Sequence, residues 1–140
     1  MPIGYAIDPV RQLVLVRAWG ALTDDEVAAQ GAALAKDQRY GEVWRVLADL
    51  LQVTEMHVTA PFVHRYSSPM LETKRAIVAR SGVGFGMARM YASVNSTEQS
   101  SVAVVKTIAD GLDWLDLPPT TPLPELLDAT FPTGSVPGKA

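Results

Sequence analysis

Thr59 is the residue of this chain with the clearest capacity for regulatory chemistry. It precedes Ala60-Pro61, and because threonine caps helices and proline is favoured in the first helical turn, a helix is predicted to begin here. A hydroxyl at a helix start can accept a phosphoryl group, whose charge is then held by free backbone amides and the helix dipole. The same hydroxyl can be an ordinary N-cap, and this is the favoured interpretation.

A second candidate is the segment Ser-Gly-Val-Gly-Phe-Gly at residues 81–86, which has an arginine on either side. Such a segment between a strand and a helix can bind an anion with its backbone N–H groups, so Arg80, Gly84 and Arg89 form a weak candidate anion site. Met87 stands where a dinucleotide fingerprint needs a third glycine, and no Walker Gly-Lys-Ser/Thr follows. A tight turn that brings the helix close to the sheet is the favoured alternative.

The histidines offer little basis for a metal site. His57 and His64 are the only two, and on a continuous helix their Cα atoms lie about 10 Å apart, too far for one metal ion. The chain has no cysteine and no HxH or HExxH spacing, so no metal and no cofactor are expected. Glu55 near His57 places an acid beside a base, but no serine or aspartate partner has the sequence context of a catalytic triad. We therefore expect no catalytic residues and no enzyme activity.

Large aromatic and methionine side chains form a third group, on the second and third predicted helices. They are Phe62, Tyr66, Met70, Phe85, Met87, Met90 and Tyr91. Since these helices should be neighbours over a sheet, such side chains can line a cleft for an apolar ligand or a membrane lipid. Core packing is the favoured alternative. Ser67-Ser68-Pro69 is predicted to interrupt the second helix, and a helix that bends can open a cleft.

Composition limits the remaining functional classes. The chain has 140 residues, 48% of them hydrophobic, which suits one domain with a single core. Its 12 Lys and Arg against 15 Asp and Glu give a net charge of −3 without a basic stripe, which argues against nucleic-acid binding. The absence of cysteine suits a reducing compartment. No signal-peptide pattern and no apolar run of about 20 residues occurs, so a cytoplasmic protein without a transmembrane segment is expected.

The elements that must position these residues follow from local patterns. Residues 8–12 have the residue types of a turn, which predicts that they join two β-rich runs into an antiparallel hairpin. A capping box at residues 23–26 starts the first helix, whose predicted inner stripe is Val27, Gly31, Leu34 and Ala35. Strands are predicted at residues 3–7, 13–19, 46–50 (followed by a loop), 74–79 and 101–105, and helices at 24–39, from 60, at 85–94 and at 107–116.

The order β-β-α-β-α-β-α-β-α predicts an α/β fold in one domain, residues 1–117. Right-handed crossovers make the later strands parallel, while the hairpin adds an antiparallel edge, so the sheet is mixed. Residues 118–140 are rich in proline and are predicted to form an extended or disordered tail.

This element order, at this length, resembles the STAS family and within it the bacterial SpoIIAA-like proteins, the anti-sigma-factor antagonists. The resemblance covers roughly residues 3–117. It is carried by residues 5–16, 46–54, 85–91 and 108–115, which match the pattern of the family.

The resemblance implies a candidate phosphorylation site. In anti-sigma-factor antagonists the turn after the third strand carries Asp-Ser-Ser-Gly, and a partner kinase phosphorylates the second serine. In this chain the motif falls on His57-Val58-Thr59-Ala60, so the acceptor hydroxyl corresponds to Thr59 while the other three positions differ.

Two functional hypotheses remain open. The first is a STAS-like regulatory module that binds another protein, or a second copy of itself as a homodimer, through the helix-two region and the preceding turn. The second is a carrier or sensor of a small apolar molecule or membrane lipid. Its pocket candidates are Phe62, Tyr66, Met70, Phe85 and Tyr91.

Overall fold

The computed structural model describes residues 3–37, 45–66, 74–80, 82–96 and 101–124. The predicted order of strands and helices is confirmed in this part of the chain. The elements are β1 (Ile3–Asp8), β2 (Leu13–Thr23), α1 (Asp24–Lys36), β3 (Arg45–His57), α2 (Ala60–Arg65), β4 (Lys74–Val78), α3 (Val83–Asn95), β5 (Ser101–Val105) and α4 (Ile108–Trp114).

The five strands form one sheet in the order β1-β2-β3-β4-β5. β1 is antiparallel to β2, and the other three pairs are parallel, which confirms the mixed sheet. Each crossover between parallel neighbours carries one helix, and right-handed crossovers that always step in the same direction place their helices on the same face. Helices α1, α2 and α3 therefore share one face, and α4 covers the other.

Alternation along the strands divides the core into two layers. Val14 and Val16 of β2 face α1–α3, where they pack with Leu34 of α1 and Val63 of α2. Leu13 and Leu15, which alternate with them in sequence, face α4. On that side the core contains Leu47, Ala76, Val78, Leu112 and Leu115. The nearly continuous apolar sequence of β2 thus reflects burial on both faces of the sheet.

β2 and β3 are longer than predicted. The loop expected after residue 50 is wrong, because β3 continues to His57 beside an extended β2 that reaches Thr23. The pairing between β2 and β3 contains two register shifts, one between Arg17 and Trp19 and one between Gly20 and Ala21. Backbone pairing satisfies polar groups along the edge that the two strands share in this ribbon, and Val53 and Met56 of β3 pack against the α1–α3 core.

Helix α1 begins with the predicted capping box, in which the Thr23 side chain accepts from Glu26 N–H and the Glu26 side chain accepts from Thr23 N–H. It ends at Lys36, short of the predicted residue 39. The predicted stripe is wrong at Ala35, which is exposed, while Gln30 is buried. The observed inner face follows the 3.6-residue period through residues 27, 30, 31 and 34.

The remaining differences concern element ends and the C-terminal segment. Helix α3 begins at Val83, two residues before the predicted start, and α4 has Thr107 as its N-cap. Beyond α4, Leu117 and Leu123 pack against the core on the α4 side, whereas residues 125–140 lie outside the described residues. The domain boundary at residue 117 stays a prediction. None of the helices in the described ranges has the length and hydropathy required to cross a bilayer.

Candidate functional site: an apolar cavity under three helices

A cavity of about 100 Å³ lies between the sheet and helices α1–α3. Its walls are almost entirely aliphatic and aromatic, because the strand residues that point toward these helices are apolar. The strand and helix-two residues around it include Val16, Val46, Leu50, Met56, Val63 and Ile77.

Three aromatic rings form a row along the cavity. The Phe62 and Tyr66 rings are stacked with centroids 4.9 Å apart, and the Tyr91 ring of α3 lies 6.2 Å from that of Tyr66. All three side chains line the cavity. The second and third helices are therefore neighbours, and three of the five predicted pocket residues lie together.

The fourth and fifth predicted pocket residues are not part of this row. Phe85 does not line the cavity; it packs near Ile77 and Ala88, and Lys106 Nζ lies 5.5 Å from its ring centroid. Met70, like the predicted break at residues 67–69, lies outside the described residues.

Helix α2 is a short cover over the cavity. It has six residues, with Pro61 in its first turn, and Val63 is its buried residue. Thr59 begins the helix as its N-cap by accepting a hydrogen bond from Phe62 N–H at 3.3 Å. The helix ends at Arg65, and the backbone N–H of its C-cap residue Tyr66 donates to Phe62 O. So short a helix depends on packing and on its cap for stability.

Thr59 also joins α2 to α1. Its backbone N–H donates to Asp24 Oδ1 at 2.7 Å, and its hydroxyl donates to Asp24 Oδ2 at 2.8 Å. The hydroxyl thus donates to a carboxylate and accepts from Phe62 N–H at the same time. A phosphoryl group on this oxygen would carry its charge against Asp24. Phosphorylation of Thr59 stays a prediction.

Arg75 of β4 is a charged residue in the cavity wall, and it was not among the residues predicted from the sequence. Its side chain is 5% exposed. Its Nη1 donates to Tyr91 Oη, and its guanidinium carbon lies 5.5 Å from the centroid of the Tyr91 ring. The available sequence signal was an arginine that alternates with Ile77 in a predicted strand, since Arg75 and Ile77 share the face toward the helices.

Gln30 of α1 is a second polar group in the wall. Its side chain is 8% exposed, and Nε2 is buried without a hydrogen-bond partner among the described residues. A buried amide nitrogen without an acceptor is costly. The cavity wall therefore includes a polar group whose hydrogen-bonding capacity is unused in this part of the structure.

The predicted anion-site residues do not converge. Gly84 lines the cavity, whereas Arg80 and Arg89 are exposed. Arg89 instead borders a separate surface depression beside Phe85 and β5. Gly82 caps α3 with φ of 98° and without a side-chain hydrogen bond, which agrees with the favoured interpretation of a tight turn.

The histidines are separate from the cavity. His57 Nε2 lies 3.3 Å from Glu55 Oε1 at the exposed end of β3, and His64 is exposed on α2. Within the described ranges, no three His, Asp or Glu side chains come together as ligands for a metal ion.

Comparison with known proteins identifies the architecture. No protein-family model matches the chain, and no curated protein matches it. The crystal structure of an uncharacterised DUF3478-family protein with a SpoIIAA-like fold, from Shewanella loihica PV-4, is similar, with a TM-score of 0.54 and 16% sequence identity over 81% of this chain and 93% of that chain. At this identity the likeness concerns the fold, and it agrees with the mixed five-stranded sheet and its helices. The chain therefore has a SpoIIAA-like fold.

Proposed function

We propose that this protein is a binding module that takes up a small apolar molecule between its sheet and helices α1–α3. The apolar cavity with its row of aromatic rings carries this proposal. An apolar ligand that enters such a site gains about 25 cal/mol for each Å² removed from water. Aromatic rings offer a large apolar contact area, and methionine side chains adapt to ligands of different shape.

The size of the cavity sets a condition on binding. At about 100 Å³ it is smaller than the roughly 300–1,000 Å³ of pockets that enclose drug-sized ligands. A ligand of more than a few carbon atoms must therefore be slender or must displace part of the wall. Helix α2 is the part that is cheapest to displace, because it has six residues and Val63 is its buried side chain.

We assign the site to binding and not to catalysis. Among the described residues that line the cavity there is no Ser, Cys, His, Asp or Glu, so the wall supplies neither the usual nucleophiles nor a carboxylate or imidazole base. Retention of a ligand, by contrast, requires no such group.

Glycine substitutions in α3 provide a direct test. Gly84 lines the cavity, and a Cβ there would meet Met56 Cε at 3.5 Å, an ordinary contact. Gly84→Leu is therefore expected to fill the cavity. Gly86 lies on the same helix and is exposed, and a Cβ on it would have nothing within 4 Å, so Gly86→Leu is the matched control.

Calorimetric titration with decanol, a slender neutral probe, measures the effect. The wild type and Gly86→Leu are expected to bind decanol, and Gly84→Leu is expected to lose binding while remaining folded by circular dichroism. Native mass spectrometry of protein purified from cells should also show a bound apolar species. No titration signal with the wild type, together with a ligand-free mass, would contradict the proposal.

Protein binding through α2 is the second candidate function. It is supported by the outer face of the helix, where Thr59, Pro61, His64 and Arg65 are exposed. An Arg65→Glu variant reverses the charge of this face without touching the cavity. If a protein partner or a second copy docks here, this variant should weaken the association in analytical ultracentrifugation while decanol binding persists.

A further inference from the structure

The wall of the cavity contains an amide nitrogen that has no hydrogen-bond partner in the described part of the chain. Gln30 of α1 lines the cavity and is 8% exposed, and its buried Nε2 lacks an acceptor. We infer that the ligand is an uncharged apolar molecule with an oxygen acceptor, a long-chain alcohol or ketone, and that this oxygen binds Gln30 Nε2. This inference rests on the proposed function.

The position of Gln30 is one that core packing alone would give to an apolar side chain. Gln30 is buried on the inner face of α1 together with Gly31 and Leu34, and glutamine is mostly an exposed residue in folded proteins. A leucine or methionine here would leave no polar atom to satisfy. The buried N–H group costs free energy for as long as it lacks an acceptor. A ligand oxygen removes this cost, so its binding gains more than apolar contact alone provides.

The chemistry of the amide nitrogen specifies the head of the ligand. An NH₂ group of glutamine has two N–H donors, so its partner must be an acceptor such as a hydroxyl or carbonyl oxygen. The torsion that orients the amide of Gln30 joins an sp³ to an sp² carbon, and such torsions are broad. The amide can therefore turn toward an oxygen in the cavity whose wall it forms without a movement of the helix.

The rest of the wall favours a ligand without charge. Arg75 is a cation in the wall, but its guanidinium contacts Tyr91 and Arg75 makes a further interaction, so it does not depend on a ligand for a partner. Gln30 itself is uncharged. An ionised ligand would exchange water for a wall of mostly aliphatic and aromatic side chains, where a charge without its own partner is costly. A hydroxyl or carbonyl oxygen supplies the acceptor without this cost.

The test uses probes that share an apolar chain and differ in the oxygen. They are decanol, methyl octyl ketone, and the alkene in which a methylene group replaces the carbonyl oxygen of that ketone. Calorimetric titration measures the alcohol and the ketone directly, and the alkene is measured by its displacement of decanol. Each probe is compared between protein variants, so that the different solubilities of the probes in water cancel.

Gln30→Met removes the amide and keeps a side chain of similar length. This variant is expected to bind decanol or the ketone about tenfold more weakly than the wild type, the size expected for one hydrogen bond to a buried donor. The larger of these two losses identifies the hydroxyl or the carbonyl as the preferred head. The alkene should bind to the variant at least as tightly as to the wild type. Ala33→Met, at an exposed position of the same helix, is the matched control and should leave all three affinities unchanged.

Thermal unfolding of the ligand-free proteins checks the variants. Gln30→Met should unfold at the same temperature as the wild type or at a higher one, because the amide without an acceptor is gone; if it does not fold, Gln30→Leu carries the test. An equal change in ketone, alcohol and alkene affinity in the folded variant, or tighter binding of decanoate than of decanol by the wild type, would overturn the inference and leave cavity binding intact. Binding of none of the probes by the wild type would overturn both proposals.

Discussion

The Arg17 guanidinium lies against the Asp49 carboxylate inside the protein, with Nε 2.8 Å from Oδ2. The two residues are direct partners in the β2–β3 ladder, and their side chains are 5% and 2% exposed. Asp49 Oδ1 also accepts from Leu51 N–H at 2.9 Å. The pair faces α4, on the same side of the sheet as Leu15 and Leu47, and lies beside the first register shift of the ribbon.

Removal of one partner from this pair should destabilise the fold strongly. Asp49→Ala leaves the Arg17 charge buried, and a loss of about 3–5 kcal/mol in the free energy of unfolding is expected in urea titrations. Asp49→Asn keeps an acceptor for Leu51 N–H, so its free energy of unfolding should fall by less than that of Asp49→Ala. The double replacement Arg17→Met with Asp49→Leu should recover most of the loss, since it removes both charges. A loss below about 1 kcal/mol for Asp49→Ala would mean that water reaches the pair.

The contact between Thr59 and Asp24 makes the phosphorylation hypothesis testable through stability. Thr59→Ala should lower the free energy of unfolding by about 1–2 kcal/mol, because the N-cap of α2 and the hydrogen bond from the hydroxyl to Asp24 are lost together. Thr59→Ser should be close to the wild type. Thr59→Glu should be less stable than Thr59→Ala, since its carboxylate meets that of Asp24.

Asp24→Asn provides the control for this prediction. In the Thr59→Glu background it should restore part of the stability measured by urea unfolding, because the like charge is gone. A Thr59→Glu protein as stable as the wild type would contradict the expected repulsion and would favour a phosphoryl group being accommodated at this position.

The fold was predictable because its signals are local. The capping box at Thr23, the turn residues after Asp8 and the caps Thr59 and Thr107 each act within a few residues. Alternation between strands and helices then leaves few topologies with right-handed crossovers. The extension of β3 to His57 was missed, because its stability comes from pairing with β2, a contact between distant parts of the chain.

The cavity was predictable only in part. Phe62, Tyr66 and Tyr91 were selected from helix spacing, and they line it. Phe85 was selected by the same rule but lies elsewhere, because the direction in which a helix residue points depends on how the helix packs. Arg75 was passed over because a charged residue in a strand usually faces solvent. Arg75 is buried and contacts Tyr91, and a single sequence shows neither of these facts.

Gly111 should be intolerant of a side chain, in contrast to Gly86. A Cβ on Gly111 would lie 2.7 Å from Leu47 Cδ1 and 3.3 Å from Val78 Cγ2, and both neighbours are 0% exposed. Gly111→Ala is expected to lose about 1–3 kcal/mol through overpacking. Gly86→Ala has an open position and should gain up to about 1 kcal/mol from helix propensity.

Chemical denaturation of the two alanine variants gives the comparison. The double variant Gly111→Ala with Leu47→Val should lose less free energy of unfolding than the sum of the losses of the two single variants. The valine at position 47 is shorter than leucine and makes room for the new methyl group. Gly111→Ala as stable as Gly86→Ala would show that α4 can move away from the sheet at little cost.

Asp8 should give the hairpin a pH-dependent contribution to stability. Desolvation raises the pKa of Asp8, but hydrogen bonds from the side chain and backbone of Arg11, the charge of Arg11 and the N–H of Val10 together lower this pKa more, so it lies below its ordinary value of 3.8. A carboxylate with a lowered pKa stabilises the folded state above the unfolded pKa, and this contribution is lost as the pH falls through the folded pKa. The effect should therefore be complete near neutral pH and decrease below about pH 4.

Asp8→Asn and Asp8→Ala separate the two parts of this contribution. Asparagine can still accept from Val10 N–H at the position where Asp8 Oδ1 does, at 3.1 Å, but it loses the ion pair of 2.9 Å with Arg11. Alanine loses both interactions and should be less stable than asparagine by about 1 kcal/mol at neutral pH. The difference between the wild type and Asp8→Asn should shrink as urea titrations are moved from neutral pH to acid. A difference that does not change with pH would mean that the charge of Asp8 does not stabilise the turn, and that its hydrogen bonds to the backbone account for the whole effect.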